Sequence, residues 1–185
     1  MRVISGTARG RRLREPSGTD IRPTGDMIKE SVFNIVQFDI EGRQVLDLFA
    51  GTGQLGIEAL SRGAGGAVFV DSSPEAVILI NKNIELCGFS ASSAVYRRDA
   101  LAYLEYCGSF GLIFIDPPYG TALAEKALRR IIEFDKLDTN GIIICETKAD
   151  RPAPAVSPPY YLHKEYIYGS VRIIRYEYSR LPGQL

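Results

Sequence analysis

Histidine occurs once in this 185-residue chain, at His163, and cysteine three times, at Cys87, Cys107 and Cys145, with no Cys-x-x-Cys pair. So few thiols at such spacings argue against both a disulfide framework and a zinc site, and no metal is expected. A reducing, cytoplasmic setting fits best. No apolar run approaches the roughly 18 residues of a membrane span, so no membrane partner is expected. The start, MRVISGTARGRRLREP, lacks the apolar stretch of a secretory leader. Net charge is missing too, since 22 Lys and Arg balance 22 Asp and Glu. That balance alone gives no reason to expect a polyanion. Its distribution does: Arg2, Arg9, Arg11, Arg12 and Arg14 fall within the first 14 residues with no acid among them. Such a run either pairs with phosphates or forms a solvated arm.

What is present fits a globular chain. Apolar residues make up 45% and charged residues 24%, and a chain of this length is one domain that buries about 70% of its unfolded surface. From residue 44 onward, short apolar runs alternate with helical spacing. Strands are expected at 44–49, 67–72, 93–99, 111–116 and 141–147. Helices are expected at 54–63, 74–88, 100–107 and roughly 121–134, with Pro74 suited to a first turn and Gly88 to a C-terminal cap. Near-continuous apolar strands of this kind belong to a parallel sheet covered on both faces. The fold class is therefore an open, doubly wound, mostly parallel α/β sheet of Rossmann-like type. Its ligands should sit at the carboxyl ends of the strands. After the Pro-rich stretch 151–159, two aromatic, β-branched runs (160–168 and 171–179) flank Gly169-Ser170 and predict an antiparallel hairpin. Residues 1–43 read as a basic extension with one helix near 24–37, after the Arg22-Pro23 break, and 44–185 as the main domain. No internal repeat is visible.

Two motifs carry chemistry. AGTGQLG (50–56) places Gly-x-Gly-x-x-Gly between a strand and a helix, with Asp71 twenty residues after Gly51 at the end of the next strand. Glycines there allow a tight turn and close approach of a ligand to backbone N–H groups, and the later carboxylate accepts hydrogen bonds from a ribose. A dinucleotide and S-adenosylmethionine both fit, and so does a plain glycine turn. Asp47 leans away from the dinucleotide, because a carboxylate beside a pyrophosphate repels it, whereas the methionine end of S-adenosylmethionine is cationic. The second motif is Asp116-Pro117-Pro118-Tyr119 at the end of the fourth strand. The prolines make a rigid turn that offers a carboxylate and backbone carbonyls to an exocyclic NH2, and the tyrosine offers a stacking face for an extruded base. The bland alternative is an ordinary Pro-rich turn whose tyrosine caps the core, and the motif's place at the edge of the same sheet as the glycine loop weighs against it.

DLFAGTG (47–53) followed by DPPY resembles the amino-methyltransferase group of S-adenosylmethionine-dependent enzymes. RVISGTARGRRL (2–13), RPTGDMIKESVFN (22–34), DLFAGTGQLGIEALSRGA (47–64) and the late YGS (168–170) make the chain similar to the bacterial 16S ribosomal RNA guanine-N2 methyltransferase family. Gln54 departs from the pattern, where a small residue is usual. The resemblance implies that Asp47, Phe49, Gly51, Thr52 and Gly53 line the methionine side of S-adenosylmethionine. Asp71 would take the ribose with Ser72 beside the adenine, Asp99 and Ala100 would meet the adenine amino group, and Thr24 would close over the cofactor. Asp116, Pro117, Pro118 and Tyr119 would hold the target guanine, and Arg9, Arg11, Arg12, Arg22 and Lys29 would meet RNA phosphates.

The expected function is methyl transfer to a guanine N2 of 16S ribosomal RNA, with the small ribosomal subunit as partner and a monomer as the default state. Hydrogen bonds from the amine to Asp116 and the Pro117 carbonyl would push its nitrogen toward sp3 geometry, leaving chiefly orientation to supply, a contribution of roughly 7–11 kcal/mol at best. A DNA adenine-N6 methyltransferase is the nearest alternative, disfavoured because no stretch remains for a separate target-recognition domain. An NAD-dependent oxidoreductase and a non-catalytic RNA-binding module are more distant ones. The cysteines read as small buried apolar side chains, His163 as a surface or packing residue, and the tail tyrosines (Tyr160, Tyr161, Tyr166, Tyr168, Tyr176, Tyr178) as sheet core.

Overall fold

The computed structural model describes residues 1–16, 23–118 and 120–178, with the side chains of Pro23 and Thr24 outside the description. The chain divides into two compact units, residues 1–100 and 101–185.

The first unit contains helix α1 (Pro23–Ile35), strand β1 (Gln44–Leu48), helix α2 (Gln54–Ser61), strand β2 (Gly66–Asp71), helix α3 (Pro74–Cys87) and strand β3 (Ser93–Arg97). Its strands run parallel in the order β3-β2-β1, with Asp47 opposite Phe69 and Asp71 opposite Arg97. The apolar runs that predicted these strands are buried because helices cover them: Val45, Leu46, Leu48, Phe69 and Val70 pack with Ile57 and Ile80 in the core. The proline start and glycine stop of α3 are as expected, and Ser73 adds an N-cap that the sequence reading did not name. Ser73 accepts from Ala76 N at 3.2 Å, Pro74 opens the first turn, and Gly88 closes the helix at φ 80°. Strand β3 is two residues shorter than expected, because Arg98 N donates to the Asp71 carbonyl as the chain turns away toward Asp99.

The basic start of the chain is docked rather than loose. Arg2 and Arg12 form an antiparallel bridge, Val3 N donates to Arg11 O, and Gly10 N donates back to Val3 O. Val3, Ala8 and Leu13 are buried, while Arg2, Arg9, Arg11, Arg12 and Arg14 face outward. The arm's backbone is received by buried polar side chains of α2 and α3. Glu58 accepts from Ile4 N (2.7 Å) and Ser5 N (2.9 Å), and Ser61 Oγ accepts from Ala8 N (3.0 Å) and donates to Ser5 O (2.5 Å). The fit is close: Gly6 adopts φ 81°, and a Cβ there would lie 1.7 Å from the Ser61 carbonyl oxygen.

The second unit contains most of helix α4 (Ala100–Tyr106), then strand β4 (Phe110–Ile115), helix α5 (Leu123–Glu133), and strands β5 (Leu137–Lys148), β6 (Tyr160–Tyr168) and β7 (Val171–Tyr178). Strands β4 and β5 are parallel, and β5-β7-β6 continue antiparallel, with the expected hairpin turning at Gly169-Ser170. This is the expected class, mixed α/β with mostly parallel strands ending in an antiparallel hairpin. Strand β5 begins four residues earlier than expected. Its start carries a register shift opposite Phe110–Leu112, with Asn140 left-handed at φ 62° and no room for a Cβ at Gly141, 2.6 Å from Leu137 Cγ. Tyr160 and Tyr176 are core, as expected, whereas Tyr161 is exposed and donates its hydroxyl to Glu177. His163 is a surface residue, 3.4 Å from the same carboxylate. Cys87 and Cys145 are buried, and burial pushes both thiols up. Among the described residues no helix is long and apolar enough to cross a membrane.

Candidate functional site

In the first unit, the chain leaves β1 through a left-handed bend. Phe49 (φ 69°), Gly51 (φ 56°) and Gly53 (φ 77°) all have positive φ, and Ile57 N donates to Gly53 O as α2 begins. A left-handed aromatic residue is uncommon and costs energy, so the surrounding loop must hold it. Each glycine of the motif has its own role. A Cβ on Gly51 would meet nothing within 4 Å, leaving an open cradle of backbone, while a Cβ on Gly56 would strike Phe69 Cε1 at 2.3 Å. The last glycine therefore lets α2 pack against β2, and the first leaves space for a ligand.

Two carboxylates govern the loop. Asp71 accepts from Gly51 N at 2.8 Å through Oδ2 and from Ser73 N at 2.9 Å through Oδ1, tying the loop to the start of α3. A carboxylate has about four lone-pair positions, so Asp71 keeps capacity for two ligand hydroxyls. Ser72 follows it and is exposed, Asp99 is exposed two residues past its strand partner Arg97, and Ala100 is buried at the start of α4. Asp47 is only 2% exposed and accepts from Gly56 N at 2.9 Å, so it holds the first turn of α2 from beneath. Burial pushes its carboxyl up to about 7, the Gly56 hydrogen bond opposes that rise, and the nearby Asp71 charge adds to it. A cation brought near this buried acid would favour its charged form and offset the cost of its burial. A cleft of about 940 Å³ runs along this edge, lined by Gly51, Thr52, Ser73, Leu79 and, from the arm, Arg14. Open backbone and a hydroxyl-accepting carboxylate, with a buried acid beneath them, fit S-adenosylmethionine.

In the second unit, Asp116, Pro117 and Pro118 follow β4. Ile115 is in register with Cys145, so the next residues, Asp116 and Glu146, come abreast at the carboxyl ends of two parallel strands. The charges of both raise the Cys145 thiol further. Pro117, Pro118, Glu146, Thr147, Lys148 and Arg151 contribute to the lining of one cavity of about 190 Å³. Thr147 Oγ1 is buried with no hydrogen-bond partner among the described residues, an orphaned group of the kind a ligand satisfies. Glu146 and Thr147 went unread in the sequence because only the pairing of β4 with β5 brings them beside the motif.

Several expected site residues need comment. Tyr119 and Arg22 lie outside the described residues, as does the side chain of Thr24, whose backbone is in α1. Arg9 and Arg12 are exposed, while Arg11 donates to the Leu86 carbonyl. Lys29 is 2% exposed and donates from Nζ to Arg2 O at 2.5 Å. Burial holds its amine below the usual lysine range, against the opposing pull of Glu58. It is an internal cation supporting the arm, and this position corrects the expectation of a phosphate contact there. Asn83 was also missed, although it is a polar residue in the buried stripe of α3 beside Ile80, Ile84 and Cys87.

The model of the family described as conserved hypothetical protein 95 matches residues 1–177. YlbH of Bacillus subtilis (strain 168) is 36% identical over 181 residues, covering 96% of this chain and 98% of that protein. The Escherichia coli (strain K12) protein named ribosomal RNA small subunit methyltransferase D is 32% identical over 178 residues, 96% of this chain and 89% of that one. The solved structure of yhhF from Escherichia coli superposes with a TM-score of 0.87 at 30% identity, covering 98% of this chain and 99% of that one.

Proposed function

The chain belongs to the conserved hypothetical protein 95 family, and from that premise we propose that it transfers a methyl group from S-adenosylmethionine to the N2 amine of a guanine in 16S ribosomal RNA, within the small ribosomal subunit. The relative named for small-subunit ribosomal RNA methylation supports the reaction and the RNA. The observation that carries the guanine is the acceptor set at the ends of β4 and β5, where Asp116 stands abreast of Glu146 beside a cavity of nucleobase size. The pairing edge of guanine carries two donors side by side, N1–H and N2–H, and one carboxylate accepts both. Adenine offers an unprotonated N1 at the corresponding place, which a carboxylate repels. This favours guanine over the DNA adenine-N6 alternative.

S-adenosylmethionine, when bound, supplies an electrophilic methyl group on a sulfonium. Phe49, Gly51, Thr52 and Gly53 would cradle its methionine end, with Asp47 supplying the counter-charge. Asp71 and Ser72 would hold the ribose, Asp99 and Ala100 the adenine, and Thr24 would close over it. A pyrophosphate would instead meet the repulsion of Asp47, which disfavours NAD. Asp116 and the Pro117 carbonyl would accept the N2 hydrogens and orient the nitrogen lone pair, and Tyr119 would stack on the base. The amine loses one proton as its new N–C bond forms, and Asp116, which would accept one of the N2 hydrogens, would take it. Lys148 and Arg151, at the same cavity, would meet flanking phosphates.

The test is transfer of labelled methyl groups to unmodified small subunits, protein-free 16S RNA and duplex DNA, followed by identification of the nucleoside. N2-methylguanosine from RNA is expected, and N6-methyladenine from DNA would overturn the substrate. Asp116→Ala should bind cofactor normally and lose transfer. Glu146→Gln, which removes the carboxylate charge and one of its two acceptor oxygens, should lower kcat/KM at least tenfold while leaving cofactor affinity unchanged.

A further inference from the structure

Asn83 joins two parts of the molecule whose functions differ. Its side chain, 0% exposed, accepts from Arg14 N at 2.7 Å through Oδ1 and donates through Nδ2 to Arg14 O at 3.1 Å and Thr52 O at 2.9 Å. Only this orientation of the carboxamide works, since Arg14 N needs an acceptor and the two carbonyls need donors. One rigid planar group therefore holds both backbone polar atoms of Arg14, at the end of the basic arm, and a carbonyl of the glycine loop. Breaking either side deprives a part-buried backbone group of its partner. Thr52 adds a second tie through Oγ1, 3.4 Å from Met1 Sδ. Arg14, Gly51 and Thr52 line the same cleft, so a displacement of the arm reaches the wall against which the cofactor would lie.

We infer that Asn83 is a positioning residue that couples the arm's grip on RNA to the shape of the cofactor loop, so that each ligand strengthens the binding of the other. The coupling rests on the reading above, in which the arm meets RNA and the loop meets S-adenosylmethionine. Linkage makes it reciprocal: whatever factor RNA adds to cofactor affinity, the cofactor adds to RNA affinity. The carboxamide takes no part in the chemistry, and its contribution is to keep Arg14 and Thr52 in one arrangement.

The first test needs neither ligand. Amide hydrogen exchange in the unliganded protein should quicken at Arg14 and across Gly51–Gly53 together in Asn83→Ala. Ser61→Ala, which loosens the arm near Ser5 and Ala8 instead, should spare Gly51–Gly53. Should Asn83→Ala fail to fold, Asn83→Asp keeps the shape and the acceptor for Arg14 N but loses both donations, and loop exchange should still quicken. Unchanged loop exchange in a folded variant overturns the inference. The second test is calorimetric affinity for S-adenosylhomocysteine with and without saturating 16S RNA. The natural protein should bind about fivefold tighter or better with RNA, and both Asn83 variants should bind equally in the two conditions. No change with RNA in the natural protein, or an undiminished change in the variants, overturns the coupling. If the natural protein binds no S-adenosylhomocysteine at all, the cofactor reading fails, and the exchange test still decides whether Asn83 ties arm to loop.

Discussion

The acidity of one residue, Asp47, sets a testable signature of this protein. An isolated aspartate ionises near 3.8, whereas burial in the fold raises Asp47 to about 7. The folded protein therefore binds this proton more tightly than the unfolded chain. Its contribution to stability is fully present below about pH 4 and is lost as pH rises to about 7, by on the order of 4 kcal/mol in all. Asp47→Asn, neutral throughout, should gain stability relative to the natural protein over that same window, as read by denaturant unfolding at pH 4, 5.5 and 7.5. A constant difference would mean that Asp47 ionises at the same pH in the fold as in the unfolded chain. Gly56→Ala probes a different force at the same helix. Its Cβ would lie 2.3 Å from the Phe69 ring, so α2 must shift, and a loss of about 1–3 kcal/mol is expected together with weaker cofactor binding.

At the scale of elements, the arm behaves as part of the core on one side and as a polyelectrolyte on the other. Arg9 and Arg12 are exposed, whereas Lys29 and Arg11 have internal or local duties. Replacing Arg9 and Arg12 together by alanine should flatten the dependence of log K on log salt for RNA binding by about 1.4–1.8, and an unchanged slope would remove them from the interface. Glu58→Ala should detach the arm at Ile4 and Ser5 and leave Lys29 and Arg62 short of their buried counter-charge. Limited proteolysis within residues 1–14 should then outpace that of the natural protein. The arm also marks where reading the sequence stops. The β–α alternation, the glycine loop, Pro74 and Gly88 at the ends of α3, and the closing hairpin are local signals carried by neighbouring residues, and they were legible. The arm's docking was not, because Glu58, Ser61 and Asn83 lie some fifty to seventy residues from their partners and look like ordinary polar positions on helices. Glu146 stayed hidden for a related reason, since its place beside Asp116 depends on strand pairing. Nor could Lys29 be read as internal, because its charge resembled the arm's arginines.

For the whole molecule, ligand choice can be measured before any substrate is prepared. S-adenosylhomocysteine at a hundred times its Kd should stabilise the protein by about 2.7 kcal/mol, visible as a rise in Tm, and NAD at the same concentration should leave Tm unchanged. Equal shifts would reopen the choice between the two ligands. The approach of the arm to α2 has a bearing on inheritance as well as on mechanics. At Gly6 the clearance to the Ser61 carbonyl is so small that no other amino acid fits, because each carries the Cβ that would lie 1.7 Å from that oxygen. Every missense change in that codon is thus equivalent in kind: it pries the arm from its seat, while Asp116 and the pocket beside it lie in the other unit. The tolerance of this position to drift is set by a single interatomic gap, and a lineage that lost this glycine would have to rebuild the whole seating of its basic arm.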